Sequence, residues 1–169
     1  KLWIFNPNDF KKTDSRPVIV FFFGGGFRRG TPTQFVPHCQ YLSERGMVAM
    51  VADYRVRERH HTLANKCVHD AKSAIRFIRQ NADMLGIDAE RIAAGGGSAG
   101  GHLAAATAIL PEHDDPMDDW SISPKPDALV LFNPALILAD VPELYDLSFE
   151  KKADLDERMG ADLVTMSPY

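Results

Sequence analysis

An α/β fold, with a mainly parallel sheet and helices on both faces, is predicted by three features of the chain. Short continuous apolar runs at residues 18–23, 47–52 and 128–132 have the length and the β-branched or aromatic content of strands buried on both faces. Between the second and third runs lies an apolar stripe at helical spacing, comprising Ala64, Cys67, Val68, Ala71, Ala74, Ile75, Ile78 and Ala82. Glycine clusters sit at two predicted strand ends, Gly24-Gly25-Gly26 and Gly95-Gly96-Gly97. Alternating strands and helices make βαβ units, and these build parallel sheets. Open sheets of this kind bind ligands beyond the carboxyl ends of their strands, where both glycine clusters fall.

The elements follow in order. Residues 2–5 predict a short strand, and 6–17 a polar turn region containing Pro7, Asn8, Asp9 and Asp14. The 18–23 strand runs into the first glycine cluster. A helix is expected at about 33–45, with Phe35, Cys39 and Leu42 at helical spacing and Gly46 as its stop. The 47–52 strand ends at Asp53-Tyr54-Arg55, and a charged loop runs from Arg57 to His61. A long helix spans about 63–85 and Gly86 closes it. A short strand at 91–94 leads into the second glycine cluster, and 102–110 predicts a helix. An acidic, solvated loop occupies 111–127 before the 128–132 strand, which Asn133-Pro134 stops. A last helix is expected over 147–159, ended by Gly160.

Composition excludes several classes of function. The chain has 169 residues, 45% hydrophobic and 25% charged, an ordinary globular balance in a single domain. A net charge of -4 gives no basis for nucleic acid or an acidic membrane as partner. No apolar run approaches the ~18 residues of a membrane span. The first residues, Lys1 to Phe5, lack a start Met and read as a strand already under way, so residue 1 is not expected to be the natural start, and the compartment stays open. Cys39 and Cys67 form no CxxC pattern and are expected to be buried free thiols on helices.

The segment Gly96-Gly97-Ser98-Ala99-Gly100 matches G-x-S-x-G between a predicted strand and a predicted helix. That spacing suits a sharp reversal with a serine at its apex. Glycines two positions either side remove side chains that would collide across the turn. The serine then sits at a helix start, where free N–H groups and the helix dipole favour developing negative charge. Upstream, Phe23-Gly24-Gly25-Gly26 ends a buried strand with bare backbone that can aim N–H groups at a carbonyl oxygen. Ser98 is therefore the candidate nucleophile, and the backbone N–H groups of the Gly24-Gly25-Gly26 segment, with that of Ala99, are the candidate oxyanion donors.

With these motifs the chain resembles the bacterial hormone-sensitive-lipase-like esterases. The matching stretches are residues 21–27, Asp53-Tyr54-Arg55, residues 70–76 and residues 95–102, and the resemblance runs over nearly the whole chain. It implies an α/β-hydrolase fold, an oxyanion hole made by the N–H groups of Gly25, Gly26 and Ala99, and hydrolysis of short-chain carboxylic esters, acetyl esters among them, through an acyl-enzyme on Ser98. It implies a small-molecule ester as partner and no metal or organic cofactor. Two departures stand out. Phe23 occupies the position where the family's HGGG motif has its histidine. The family's catalytic acid and base also follow two further strands, whereas this sequence ends at Tyr169. The triad is thus expected to be completed by polypeptide after residue 169, in a sheet lacking its last strands. A complementing chain or homo-oligomer is left open by the sheet edge this exposes.

The local histidines are poor substitutes. His102 lies one helical turn past Ser98 and points along the helix, His69 and Asp70 belong to the long helix, and His60 and His61 are loop residues able at most to line a pocket. Gly95, Gly97 and Gly100 also satisfy G-x-G-x-x-G, yet no acidic residue ends the next strand as dinucleotide binding requires. The acidic run from His113 to Asp119 lacks calcium-loop spacing. Asp53-Tyr54-Arg55 fits loop-holding ion pairs better than chemistry. The alternative to an enzyme is a hydrolase-fold module that has lost its base and serves binding.

Overall fold

The computed structural model describes residues 1–141 and 148–168. Strand β1 (Leu2–Phe5) is followed by β2 (Arg16–Phe22), a 3-10 turn (Pro32–Phe35), helix α1 (Val36–Ser43) and β3 (Val48–Ala52). Next come α2 (Arg57–His60), α3 (Ala64–Gln80), α4 (Ala82–Leu85), β4 (Ile87–Gly97), α5 (Ala99–Ile109), β5 (Ala128–Phe132) and α6 (Phe149–Met159). The start of the expected last helix, Leu147, lies outside the described residues.

The five strands form one sheet in the order β1-β3-β2-β4-β5. Only β1 runs antiparallel, against β3, and the other pairings are parallel. From β2 the chain crosses to β3 on one side and then returns past β2 to β4 on the other. Right-handed crossovers in opposite directions place their helices on opposite faces, so α1 covers one face and α3 with α5 the other. Side chains alternate accordingly: Phe21 stacks on Phe35 beside α1, centroids 4.7 Å apart, while Phe22 faces Tyr54. The core is dominated by β2 and β3, where Val18, Val20, Phe22, Val48, Met50 and Val51 are fully buried.

Several expectations are revised. The expected 63–85 helix breaks at Asn81, whose side-chain amide donates to the Phe77 carbonyl at 2.8 Å and competes with the helical ladder. Strand β4 is far longer than 91–94, because Gly95 and Gly96 are paired on both sides, with Phe21 and Phe22 of β2 and with Val130 and Leu131 of β5, and Gly97 is paired with Phe132 of β5. The charged loop after β3 contains a helical turn, α2, held by Val56 N–H donating to His60 Nδ1 at 3.0 Å. Strand β5 is not buried: Val130 is 39% and Phe132 41% exposed, since β5 is, like β1, an edge strand of the sheet among the described residues.

The 111–127 loop is docked rather than solvated. Lys72 and Arg76 of α3 are buried, and buried cations require partners. Asp114 pairs with both, at 3.0 Å from Lys72 Nζ and 2.5 Å from an Arg76 Nη, and Asp118 accepts from Arg76 and Ser73. These contacts hold both carboxyls and cations in place without any metal ligand geometry; among the described residues no group of three His, Cys, Asp or Glu is arranged to hold a metal ion. No described helix is long and apolar enough to cross a membrane.

Candidate active site

Ser98 stands at the junction of β4 and α5 with φ 53° and ψ -118°, in the left-handed half of conformational space. A non-glycine residue occupies that region only where its surroundings enforce it. Here Ser98 N–H donates to the Phe132 carbonyl at 3.0 Å, and the Ser98 carbonyl accepts from His102 N–H at 3.0 Å and Ala135 N–H at 3.2 Å. The flanking glycines are sterically required. A Cβ on Gly96 would collide with the Gly100 carbonyl, and a Cβ on Gly100 with the carbonyl of Phe22. The elbow is thus wedged between the end of β2 and its own helix, leaving Ser98 exposed and Ala99 buried behind it.

Opposite lies the loop after β2. Gly25 and Gly26 have φ 131° and 63°. Arg28 and Arg29 N–H groups both donate to the Gly25 carbonyl, at 3.1 and 3.2 Å, closing a tight turn. Gly24 N–H is taken by Gln34 Oε1 at 2.5 Å. The N–H groups of Gly25, Gly26 and Ala99 have no acceptor among the described residues. The sequence-predicted residues therefore come together: Ser98, Gly25 and Gly26 line one cleft of about 430 Å³, with Arg28, Arg29, Glu58 and Arg158. Larger apolar grooves, about 620 Å³ beside β1 and about 550 Å³ against β5, do not contain Ser98.

The Phe23 departure has a structural answer. Its ring is fully buried and stacks on Tyr54, centroids 4.1 Å apart, while Tyr54 Oη donates to the Phe23 carbonyl at 2.6 Å. An aromatic pair thus anchors the loop root. Gln34 and Tyr54 are the two site-supporting residues that motif reading missed. Asp53-Tyr54-Arg55, one of the stretches that carry the family resemblance, is expected to hold loops through its charges, and these do form structural pairs, Arg55 with Asp70 at 2.6 Å and Asp53 with Arg59 at 2.8 Å.

None of the six histidines is bonded to Ser98 through its ring. His102 is fully buried, its ring edge-on to Phe27 at 5.1 Å, and its Nε2–H donates to the Met166 carbonyl at 2.6 Å. Burial pushes its imidazole down to about 4, so it is neutral at pH 7. His69 faces Asp115, His60 caps α2, His113 contacts Thr165 and His38 sits among Phe21, Phe35 and Phe132. His61 is an exposed residue in the left-handed region. Cys39 and Cys67 are buried free thiols, both pushed up to about 12 by burial, as expected of inert core residues.

The BD-FAE family model matches residues 2–130. The chain belongs to the BD-FAE family. Carboxylesterase NlhH of Mycobacterium tuberculosis is 35% identical over 98 residues, covering 57% of this chain and 30% of that enzyme. The apo structure of Thermogutta terrifontis esterase 2 superposes with a TM-score of 0.92 at 50% identity, over 99% of this chain and 60% of that one. The same esterase phosphonylated by sarin gives 0.93 at 49%, over 99% and 61%. The α/β-hydrolase fold and the resemblance to hormone-sensitive-lipase-like esterases are borne out by these matches. This BD-FAE chain spans about a third of the curated relative's length and three fifths of the solved one's.

Proposed function

We propose that this BD-FAE chain carries the nucleophile and oxyanion hole of a serine carboxylic-ester hydrolase. The observation that carries the reading is Ser98, held at positive φ beside the unpartnered N–H groups of Gly25, Gly26 and Ala99. Ser98 Oγ attacks the ester carbonyl carbon, and its proton passes to a histidine. The carbonyl oxygen becomes an oxyanion held by the three N–H groups. Collapse expels the alcohol, which takes the proton, and leaves an acyl-serine that water cleaves by the same route. The histidine and its orienting carboxylate come from polypeptide after residue 169. That assignment fits the ring contacts of His38, His60, His69, His102 and His113, none of which is to Ser98, and the greater length of the relatives. Short-chain esters are the substrates, acetyl and simple aliphatic esters included, and no cofactor takes part.

In the full-length protein, Ser98→Ala should lower kcat/KM for 4-nitrophenyl acetate by about a million-fold. A fluorophosphonate should label the wild type at Ser98 and leave the variant unlabelled. Undiminished turnover in Ser98→Ala would sink the reading. A folded wild type that resists the label and leaves esters intact would favour the alternative, a hydrolase-fold binding module.

A further inference from the structure

The lining of the Ser98 cleft is cationic in a chain whose net charge is -4. Three arginines, Arg28, Arg29 and Arg158, line it with one acidic residue, Glu58. Arg158 is partly neutralised by Asp154 at 2.7 Å. Arg28 and Arg29 have no carboxylate within ion-pair distance among the described residues, whereas the neighbouring Arg57 and Arg59 are paired with Glu157 and Asp53. The unpaired arginines are also the ones placed nearest in sequence to the oxyanion loop.

Their backbone is fixed. Both N–H groups bind the Gly25 carbonyl, and Glu58 N–H donates to the Arg28 carbonyl at 2.9 Å. Arg57 N–H donates to the Phe27 carbonyl at 3.1 Å, and Phe27 is buried against His102. The turn that presents Gly25 and Gly26 therefore presents Arg28 and Arg29 on the same rim. A guanidinium offers a planar fork of donors suited to a carboxylate or phosphate. A cleft lined by one sign of charge concentrates ligands of the other.

We infer that the substrate of this site is an ester carrying its own negative charge near the scissile group, held by Arg28 and Arg29; the inference rests on the hydrolase reading above. The anion can lie on the acyl or the alcohol side, and matched probes separate the two. Monomethyl succinate against methyl butyrate places the charge on the acyl side. 4-Acetoxybenzoate against 4-acetoxybenzamide places it on the alcohol side.

The measurement is the ratio of kcat/KM, anionic over neutral, for each pair with the full-length protein. In at least one pair the wild-type ratio should exceed one at low salt and fall toward one as ionic strength rises to 1 M, where the Debye length shrinks to about 3 Å. Arg28→Gln/Arg29→Gln should lower that ratio about tenfold, an effect scaled down for the exposure of both side chains. Lys11→Gln/Lys12→Gln, which removes the same charge at the far end of β2, should leave it unchanged. Ratios at or below one in both pairs, or insensitive to the arginine substitutions, would overturn the inference and leave the hydrolase reading standing. No turnover of any probe, with no fluorophosphonate label at Ser98, would overturn both.

Discussion

His102 makes folding stability depend on pH in a defined window. Its imidazole is fully buried, and its Nδ1 has no hydrogen-bond partner among the described residues. Burial is the main cause of its depression from 6.5 to about 4, and the bond to the Met166 carbonyl opposes it only in part. Above pH 6.5 the ring is neutral in both folded and unfolded chains, so it adds no pH dependence. As pH falls below 6.5 the unfolded chain takes up a proton that the folded chain refuses. The loss of stability continues until the folded pKa near 4 is passed. A difference of two to three pH units corresponds to about 3 kcal/mol. His69, also depressed chiefly by burial, contributes in the same direction, so the wild-type slope alone does not isolate His102. The comparison is with His102→Leu, which keeps the apolar contact to Phe27 and cannot titrate. Urea unfolding at pH 7, 6, 5 and 4 should show the wild type losing about 3 kcal/mol more than the variant. Parallel pH profiles, or an NMR titration of His102 in the folded protein near 6.5, would refute the reasoning.

Two further outcomes follow from packing. Gly100→Ala drives a Cβ into the Phe22 carbonyl and should destabilise the protein by about 3 kcal/mol or more, whereas a Cβ on Gly97 meets nothing closer than 3.8 Å and Gly97→Ala should cost under about 1 kcal/mol; thermal unfolding of both variants checks the contrast. Asp114→Ala leaves Lys72 without its carboxylate partner and Arg76 with Asp118 as its one carboxylate among the described residues, and should cost about 3 kcal/mol, while Asp119→Ala, whose carboxylate bonds only the exposed Ser121 among the described residues, should cost under about 1 kcal/mol in the same denaturation assay.

What could be read from the sequence depended on how local each determinant is. Strands β1 and β5 were legible to the residue, because apolar runs there are bounded by Asn6-Pro7 and Asn133-Pro134. The elbow was legible for the same reason: glycines at 96 and 100 act on a turn five residues long. Strand β4 was not, since Asp88, Glu90 and three glycines carry no strand pattern, and it is pairing with β2 and β5 that holds Gly95 and Gly96 extended, and pairing with β5 that holds Gly97. The supporting roles of Gln34 and Tyr54 were not legible because each bonds backbone distant in sequence, across 10 and 31 residues, and Tyr54 also stacks on the Phe23 ring. Lys72 and Arg76 would pass for the polar face of an amphipathic helix until the acidic loop folds over them.

The strain at Ser98 ties site geometry to the outer part of the sheet. A left-handed serine costs about 1–3 kcal/mol, which must be offset by contacts that the strained form alone can make. Those contacts come from three places: the close approach of Gly100 to Phe22 in β2, the first turn of α5, and the carbonyl of Phe132 in β5. The first two are deep in the core. The third is on an edge strand among the described residues, whose side chains are largely exposed. Of the supports that hold Ser98 toward the cleft, β5 is therefore the one that gains most from any polypeptide covering its open edge. The Phe132 carbonyl thus couples the strained serine to an exposed strand, so a substitution that loosens β5 at this point loosens the alignment of Ser98 with it.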